Sequence, residues 1–384
     1  MRTLMTTLCL GMLLTTSAHA AKTKTTVDQL NALIDEMYQG HKSDDEIASR
    51  LKEVDLSEQL TTAAANSLTK YHPGPAVIRS ILLLSVESAL LPPPAADLPT
   101  LPAPDAAAQA ALVSKAKQIA DQSFPQVPRL TATKQTLRFQ NGIASVQNLS
   151  GSGNRMGNAN GFQDNIEYLY PALVSAQSTE ISSLAGEELP PAVVKQRDPA
   201  SPLGQVSQIV PGLPLTTVLS DLGNTTPTFL RWQTINSRQT AVFTFSVDRK
   251  QSHYKINYCC FPEFEHVGSE MGFAANSGSV ATFKPFNASP GYQGELYIDS
   301  TTGIVLRLVT RAATKPKDFV TQEDIRVDYT PVEVGSTHYI LPVHSAILTT
   351  VVPNGDSFMK YSTRRTLFDV TYSNYHPAAS ASHP

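Results

Sequence analysis

From residue 228 onward the chain is a succession of short segments rich in β-branched and aromatic residues, separated by short turns. This pattern is typical of β-strands, and the short connections favour antiparallel neighbours over parallel β-α-β units. The segments are FLRWQTI, TAVFTFSVD, SHYKINYCC, SVATFKPF, GELYIDS, IVLRLVTRA, EDIRVDYTPVEV, THYILPVHSAILTTVV and FMKYSTRRTLFDVTYSNYH. We therefore predict a curved, up-and-down antiparallel sheet over 228–376, with one face packed and the other partly exposed.

Turn residues predict how two pairs of these strands align. In GELYIDSTTGIVLRL, a three-residue loop at 301–303 with Gly303 in the left-handed conformation sets apolar side chains against apolar ones. The resulting pairs are Ile298 with Leu306, Leu296 with Leu308, and Tyr297 with Arg307. VEVGSTHY likewise predicts a tight hairpin that brings Val334 back toward Tyr339.

The region 21–126 has the periodicity of short amphipathic helices. Thr26 with Gln29, and Ser43 with Glu46, have the spacing of capping boxes, which mark two helix starts. The helical patterns are TTVDQLNALIDEMY, SDDEIASRLKEV, SEQLTTAAANSLTKY, the segment 76–91 and DAAAQAALVSKAKQIADQSF. The proline-dense stretch LPPPAADLPTLPAP separates the last two and predicts a stiff connection. We therefore predict a compact helical domain in front of the sheet domain, an α+β organisation.

The chain between these two regions has a different composition. Residues 127–227 are predicted to form an irregular connecting region, and within it 147–164 is rich in Gly, Asn and Ser with almost nothing to bury. Such a segment should be mobile. The last residues, 377–384, are predicted to be a disordered tail.

The N-terminus has the features of a secretory signal peptide. Arg2 is followed by an apolar run over 4–14 and then by Ala18-His19-Ala20, which predicts cleavage between Ala20 and Ala21. We therefore expect an exported protein, periplasmic or extracellular. The most apolar later stretch, VIRSILLLSVESALL, is interrupted by Arg79 and Glu87, so we expect no transmembrane segment in the mature chain. The net charge of −3 argues against a nucleic-acid partner.

The strand order and two segments of the sheet region resemble the outer-membrane lipoprotein carrier-like fold. These segments are GELYIDSTTGIVLRL and EDIRVDYTPVEVGSTHYILPVHSAIL, and the resemblance covers roughly 228–376. That fold is an incomplete β-barrel wrapped around helices, and it implies an opening on an apolar cavity. The whole layout, with the helical front and SHYKINYCC, is also similar to an uncharacterised family of exported bacterial proteins.

Two adjacent cysteines, Cys259 and Cys260, lie in the strand pattern SHYKINYCC. If Asp248 pairs with His253, apolar residues of the two neighbouring strands match, and Cys260 points to the packed face while Cys259 points away. Neighbouring residues of a regular strand point to opposite faces, so a vicinal disulfide requires the strand to end or bulge there. A vicinal disulfide, two separate thiols, and metal or redox chemistry are the three alternatives for this pair.

The pattern contains few signals of catalysis. Asp248 and His253 are two members of a triad by type, but no Gly-x-Ser-x-Gly elbow accompanies them. His338 and His344 are six residues apart and by parity share a face, which we expect to be the solvent face. The chain contains no phosphate-binding loop, dinucleotide fingerprint or His-Glu-x-x-His motif. No cofactor and no metal are expected.

An aromatic-rich set in the sheet region supplies the candidate binding residues. Aromatic side chains on one face of a sheet form a packed core, or they line a cavity for an apolar ligand. The candidates are Trp232, Phe243, Phe245, Tyr254, Tyr258, Phe283 and Tyr292. The preferred hypothesis is a non-catalytic exported protein that binds an apolar small molecule, a lipid or an envelope protein through the curved sheet. The alternatives are a hydrolase or thiol-dependent enzyme using Asp248/His253 or Cys259/Cys260, and a structural or assembly module of the envelope.

Overall fold

A computed structural model describes most of the chain. It covers residues 24–141, 171–189, 204–205, 215–223, 225–264, 281–315, 318–351 and 364–378. The predicted signal peptide, the 147–164 segment and residues 379–384 of the predicted tail lie outside the described residues. No helix in the described ranges is long and apolar enough to cross a membrane.

The predicted helices of the N-terminal region are present. They are α1 (Val27–Gln39), α2 (Asp44–Lys52), α3 (Thr62–Ser67), α4 (Pro75–Ser88) and α5 (Ala106–Ser123), and a sixth helix, α6 (Leu215–Asp221), comes later. Thr26 and Ser43 cap α1 and α2, and the reciprocal bonds from Gln29 and Glu46 complete both capping boxes, as predicted. Helices α1 to α4 enclose a small apolar core of their own around Leu30, in which Leu, Ile and Val residues of the amphipathic stripes meet.

Ten strands form one open antiparallel sheet, in which β5 contributes only two residues. The strands of the chain are β1 (Lys24–Thr25), β2 (Asp55–Leu56), β3 (Leu130–Gln140), β4 (Ala172–Leu184), β5 (Glu187–Glu188), β6 (Gly204–Gln205), β7 (Thr228–Ile235), β8 (Arg238–Val247), β9 (Ile256–Phe264), β10 (Ala281–Ala288), β11 (Tyr292–Asp299), β12 (Val305–Ala312), β13 (Val320–Val334), β14 (Thr337–Val351) and β15 (Arg364–Pro377). The large sheet has the order β5-β4-β3-β15-β14-β13-β12-β11-β8-β7, is curved and does not close. The predicted antiparallel sheet behind N-terminal helices is therefore confirmed.

Two features of the sheet differ from the sequence prediction. Within the predicted irregular region 127–227, β3 and β4 are long strands of the large sheet, so the irregular assignment is wrong for them. The predicted pairing of Asp248 with His253 is also wrong, because β8 pairs with β7 and β11 while β9 lies in a separate three-stranded sheet with β10 and β6. Both edges of β8 are occupied, so β9 cannot join it.

The predicted hairpin between β11 and β12 is confirmed in part. Gly303 has φ +80°, Leu296 lies opposite Leu308 and Tyr297 lies opposite Arg307. A β-bulge after Tyr297 then places Ile298 opposite Val305 rather than Leu306. The β13–β14 hairpin is tight as predicted, but its turn at Gly335 pairs Val334 with Thr337, and Tyr339 lies opposite Val332 rather than Val334.

A second bulge, at Val343 in β14, reverses which face of the sheet the even-numbered and odd-numbered side chains of that strand occupy. Asp328 pairs with His344 and the next residue, Tyr329, pairs with Pro342, which leaves Val343 as the extra residue. Ile340 and Ile347 therefore contact the same core although one number is even and the other odd. His338 and His344 consequently lie on opposite faces, which corrects the parity prediction.

Helices cover both faces of the large sheet. The face that we call the α5 face carries residues such as Phe243, Leu296 and Ile347, and it packs against α5, α6 and the small sheet. The opposite face, the α4 face, packs Phe139, Leu348 and Leu367 against Leu83 and Val86 of α4. The sheet thus forms the middle layer, and the largest apolar core lies on its α5 face.

Candidate functional site

The predicted aromatic residues whose side chains are described lie together on the α5 face. Phe243, Phe245, Tyr254, Tyr258 and Tyr292 are all buried members of one core. Trp232 packs against this core and donates its indole N–H to the carbonyl of Pro102, 2.8 Å away. Phe283 is in β10, but its side chain lies outside what the structure describes.

Strand geometry explains why these side chains meet. Phe243, Phe245 and Val247 alternate along β8, and Tyr292 and Leu296 are directly opposite Val247 and Phe243 on β11. The rings of Phe245 and Tyr292 pack edge to face, with centroids 6.0 Å apart. The result is a continuous apolar surface with two polar groups embedded in it.

The first embedded polar group is Glu323 on β13. This residue is only 2% exposed, and the hydroxyl group of Tyr254 donates a hydrogen bond to its Oε1 atom over 3.1 Å. Burial raises the pKa of Glu323 to about 8, against the opposing effect of the Tyr254 hydrogen bond. The α5 face therefore holds a carboxyl group whose neutral form is favoured by burial.

The second embedded polar group is Asp221, at the end of α6. Its fully buried carboxylate accepts the Tyr292 hydroxyl at 2.9 Å, the backbone N–H of His253 at 3.0 Å, and Nδ1 of the same histidine at 2.5 Å. Asp221, not the predicted Asp248, is thus the acidic partner of His253. The imidazole is 72% exposed, and no Ser, Thr or Cys side chain in the described ranges hydrogen-bonds its Nε2. Among the side chains that the structure describes, this oriented histidine therefore has no nucleophile hydrogen-bonded to it.

A cavity of about 450 Å³ opens where β8, β10 and β12 end and β11 begins. We call it the Tyr292 cavity, and it is lined by Ser246, Val247, Asp248, Arg249, Phe286, Asn287, Ala288, Ser289, Pro290, Gly291, Tyr292, Gln293, Ala313, Lys315 and Asp318. Gly291 lets the chain pass close to β8, since a Cβ there would lie 2.7 Å from the carbonyl oxygen of Val247. Among the predicted binding residues whose side chains are described, Tyr292 alone lines this cavity, and the others fill the core behind it.

The two cysteines sit at a bulge of β9. Lys284 of β10 faces Phe261, and Phe286 faces Tyr258, so Cys259 and Cys260 together oppose one residue of β10. Such a bulge meets the backbone condition that a vicinal disulfide requires. The cysteine side chains lie outside the described atoms, and the three alternatives stay predictions. A count of free thiols in the unfolded protein tests the disulfide, which gives none, against the other two alternatives, which give two.

The α4 face contains a cluster of charges that the sequence did not predict. Asp328 accepts hydrogen bonds from Arg307 and Arg326, and His344 lies between Asp328 and Asp369. Burial would raise the pKa of Asp328, but the two guanidinium groups outweigh it and hold the pKa well below the usual range. Burial would lower the pKa of His344, but the two carboxylates raise it to about 9.

This cluster joins the helices to the sheet. Arg326 donates to the carbonyl of Ala89 at 2.9 Å and Arg311 to that of Leu90 at 3.1 Å, both just past the C-terminal end of α4. Both ring nitrogens of His344 face carboxylates, so the role of this histidine is structural and neither nitrogen is free to act as a base. It is only 30% exposed, which corrects the expectation of a solvent-facing side chain, whereas His338 is exposed as expected.

Sequence reasoning missed Glu323 and Asp221 as members of the candidate site. The signal for Glu323 was available, because Glu323, Ile325 and Val327 alternate along one strand and the latter two are core residues. Asp221 carried no such signal, because α6 is short and follows residues without a clear period. No group of three or more His, Cys, Asp or Glu side chains in the described ranges is arranged to hold a metal ion.

Comparison of the chain with protein-family models, with curated proteins and with solved structures finds no match.

Proposed function

We propose that the protein is an exported, non-catalytic carrier that binds an apolar small molecule or lipid on the α5 face of its sheet. The observation that supports this proposal is an open, curved sheet whose largest apolar surface is covered by helices and reached by the Tyr292 cavity. The proposal also rests on the signal-peptide pattern at 1–20 and on the resemblance of 228–376 to the lipoprotein carrier-like fold. In the proposed complex, the ligand binds the part of the α5 face that a helix covers in the structure.

Helix α5 is the cover that is easiest to displace. Ala116 and Ala120 are the buried residues of α5, and its Leu112 and Val113 pack half-buried against the core. In contrast, α6 buries Leu215, Val218 and Leu219 within seven residues. A buried Leu or Val stabilises by about 1.5–3 kcal/mol, and an Ala by less than ~1 kcal/mol. We therefore assign α6 as the fixed element and α5 as the movable one.

The C-terminal end of α5 is the natural hinge. Phe124, directly after α5, is buried in the core and packs edge to face on Tyr329, with centroids 6.1 Å apart. At the other end α5 follows the proline-dense stretch 91–104, which connects it to α4. Movement of α5 about Phe124 would uncover the apolar face without disturbing the hydrogen bonds of the sheet.

The first experiment asks whether a ligand is bound. Protein purified from its native compartment is extracted with organic solvent, and the extract is analysed by mass spectrometry alongside an extract of the refolded protein. The proposal expects a lipid or another apolar compound at stoichiometric amount in the native sample alone. If nothing is extracted and apolar fluorescent probes do not bind the refolded protein, ligand carriage is rejected.

The second experiment tethers α5 to the sheet. A Cβ on Gly303 would lie 2.8 Å from Cγ of Lys115, so the pair Lys115→Cys and Gly303→Cys is within bridging distance. Gly303 has a left-handed conformation, so we expect the glycine substitution alone to cost about 1–2 kcal/mol. We expect the oxidised double variant to lose binding of an apolar probe and to regain it on reduction.

Two controls make the tether interpretable. Gly303→Ala carries the same backbone strain without a thiol, and Lys115→Cys alone, oxidised in the same way, reports any pairing with Cys259 or Cys260. Equal probe binding by the oxidised and reduced double variants would show that α5 does not move to admit a ligand.

A further inference from the structure

The floor of the Tyr292 cavity is part of the apolar core. Val247 and Tyr292 are buried core residues of the α5 face, and Phe286 and Ala288 pack against the same core. The volume of about 450 Å³ is within the range of small-molecule sites, roughly 300–1,000 Å³. An alkyl chain entering this cavity would contact the α5 face directly.

The rim of the same cavity is charged. Asp248, Arg249 and Lys315 line it and are exposed, and Asp318 lines it beside them. The carboxylate of Asp318 already accepts the backbone N–H of Lys315 at 2.9 Å. Within the described ranges no carboxylate lies in ion-pair distance of Arg249 or Lys315.

Arg249 is held in position while its charge stays available. Its Nε–H donates to the carbonyl of Ser289 at 3.1 Å, which fixes the side chain along the rim. The two terminal nitrogens are left to bind an anion, and a guanidinium group binds carboxylate or phosphate oxygens through paired hydrogen bonds. Lys315 supplies a second cation on the same rim, where the two carboxylates are those of Asp248 and Asp318.

We propose that the Tyr292 cavity is the entry site for an amphiphile with an anionic head group. The alkyl chain lies on the floor formed by Val247, Phe286 and Tyr292, and the carboxylate or phosphate of the head pairs with Arg249 and Lys315. This inference rests on the proposed carrier function and adds the chemical class of its ligand and the point where the ligand enters.

The test compares two probes that differ only in the charge of the head. 11-(Dansylamino)undecanoic acid is anionic, its methyl ester is neutral, and binding of both is followed by fluorescence at low ionic strength. We expect the acid to bind about three- to tenfold more tightly than the ester, which is the scale of two exposed ion pairs. Added salt should reduce the difference, because exposed charges are screened.

Substitutions at the rim identify the groups responsible. The double variant Arg249→Gln, Lys315→Gln should bind the acid no better than the ester, while its affinity for the ester stays unchanged. Lys250→Gln is the matched control, because Lys250 is exposed and adjacent in the chain but does not line the cavity. The single variant Lys315→Gln is the control for misfolding, because the ammonium group of Lys315 has no partner in the described ranges and its removal should not affect the fold.

A variant that obstructs the cavity distinguishes this inference from the proposed function. Ala288→Trp fills the cavity and should abolish binding of both probes, with circular dichroism confirming the fold. If both probes still bind this variant, the assignment of the cavity as the entry site is overturned. If acid and ester bind equally to the native protein, the anionic head group is overturned. The proposed ligand carriage stands in either case. If the native protein binds neither probe, both proposals fail.

Discussion

The buried carboxyl group of Glu323 makes the stability of this protein depend on pH in an unusual direction. Its pKa is about 8 in the folded protein, against an ordinary value of 4.5. A carboxyl group whose pKa is raised by folding is kept neutral in the folded state and ionises on unfolding. Stability is therefore undiminished below pH 4.5 and is lost as the pH rises toward 8.

The size of the effect follows from the shift. Each pKa unit corresponds to about 1.4 kcal/mol, so the full window of roughly 3.5 units corresponds to about 5 kcal/mol. Relaxation of the surroundings reduces such values, and we expect about 2–5 kcal/mol at pH 8. Glu323→Gln keeps an oxygen that can accept the Tyr254 hydroxyl but cannot ionise. The variant should therefore be more stable than the native protein at pH 8 by that amount, and about equally stable at pH 4.5.

Denaturation by urea at pH 4.5, 6 and 8, followed by circular dichroism, measures this difference. Glu333→Gln is the matched control, because Glu333 lies on the same strand and is exposed. It should follow the native protein at every pH. If Glu323→Gln also follows the native protein at every pH, then Glu323 is ionised in the folded state and the reasoning from burial fails.

Three further outcomes are expected from other parts of the sheet. His344→Gln should destabilise the protein by about 1–3 kcal/mol at pH 6 and by little above pH 9. The reason is that folding raises the pKa of this histidine, which stabilises the folded state fully below pH 6.5, and this stabilisation is lost as the pH rises through about 9. Urea titrations at both pH values test this. Asp328→Asn leaves two guanidinium groups without their carboxylate and should cost about 3–5 kcal/mol, measured by the same titration, with the exposed Asp248→Asn as control. Gly294→Ala should prevent stable folding, because its Cβ would lie 2.0 Å from the carbonyl oxygen of Val309; a thermal transition near that of the native protein would contradict this.

The parts of the fold that local chemistry determines were predictable from the sequence. The capping residues Thr26 and Ser43 begin helices where expected, and Gly303 and Gly335 make the two turns that were assigned. These features depend on backbone groups within a few residues of each other, so the chain around them carries the whole signal.

The parts that depend on distant partners were not predictable in the same way. Strand β4 reads ALVSAQSTEISSL and is largely exposed, so it lacks the apolar alternation that marks a half-buried strand. The bulge at Val343 changes the face of every later residue in β14. Pro342, directly before it, was the signal that the parity prediction overlooked, because a proline inside a strand occurs at edges or bulges. The assignment of β9 to β8 failed because adjacency in the chain was taken for adjacency in space.

The candidate site shows the same division. The aromatic residues of the α5 face were identified from alternation, and the structure brings the described ones into one core. The partner of His253 was missed because Asp221 comes from a helix 32 residues earlier in the chain. A register argument can select which side chains share a face, but it cannot find a contact between a helix end and a loop.

The position of β15 has a consequence for how the protein is made. This strand, near the end of the chain, lies between β14 and β3, and Arg365 is hydrogen-bonded to Asn141 although 224 residues separate them. Strands β3, β4 and β5 can pair with one another early, but β3 cannot join the rest of the sheet until β15 has been synthesised. A premature stop codon that removes residues 364–384 would release three additional strands from the sheet, and proteolysis of the truncated product should begin in the segment 127–189.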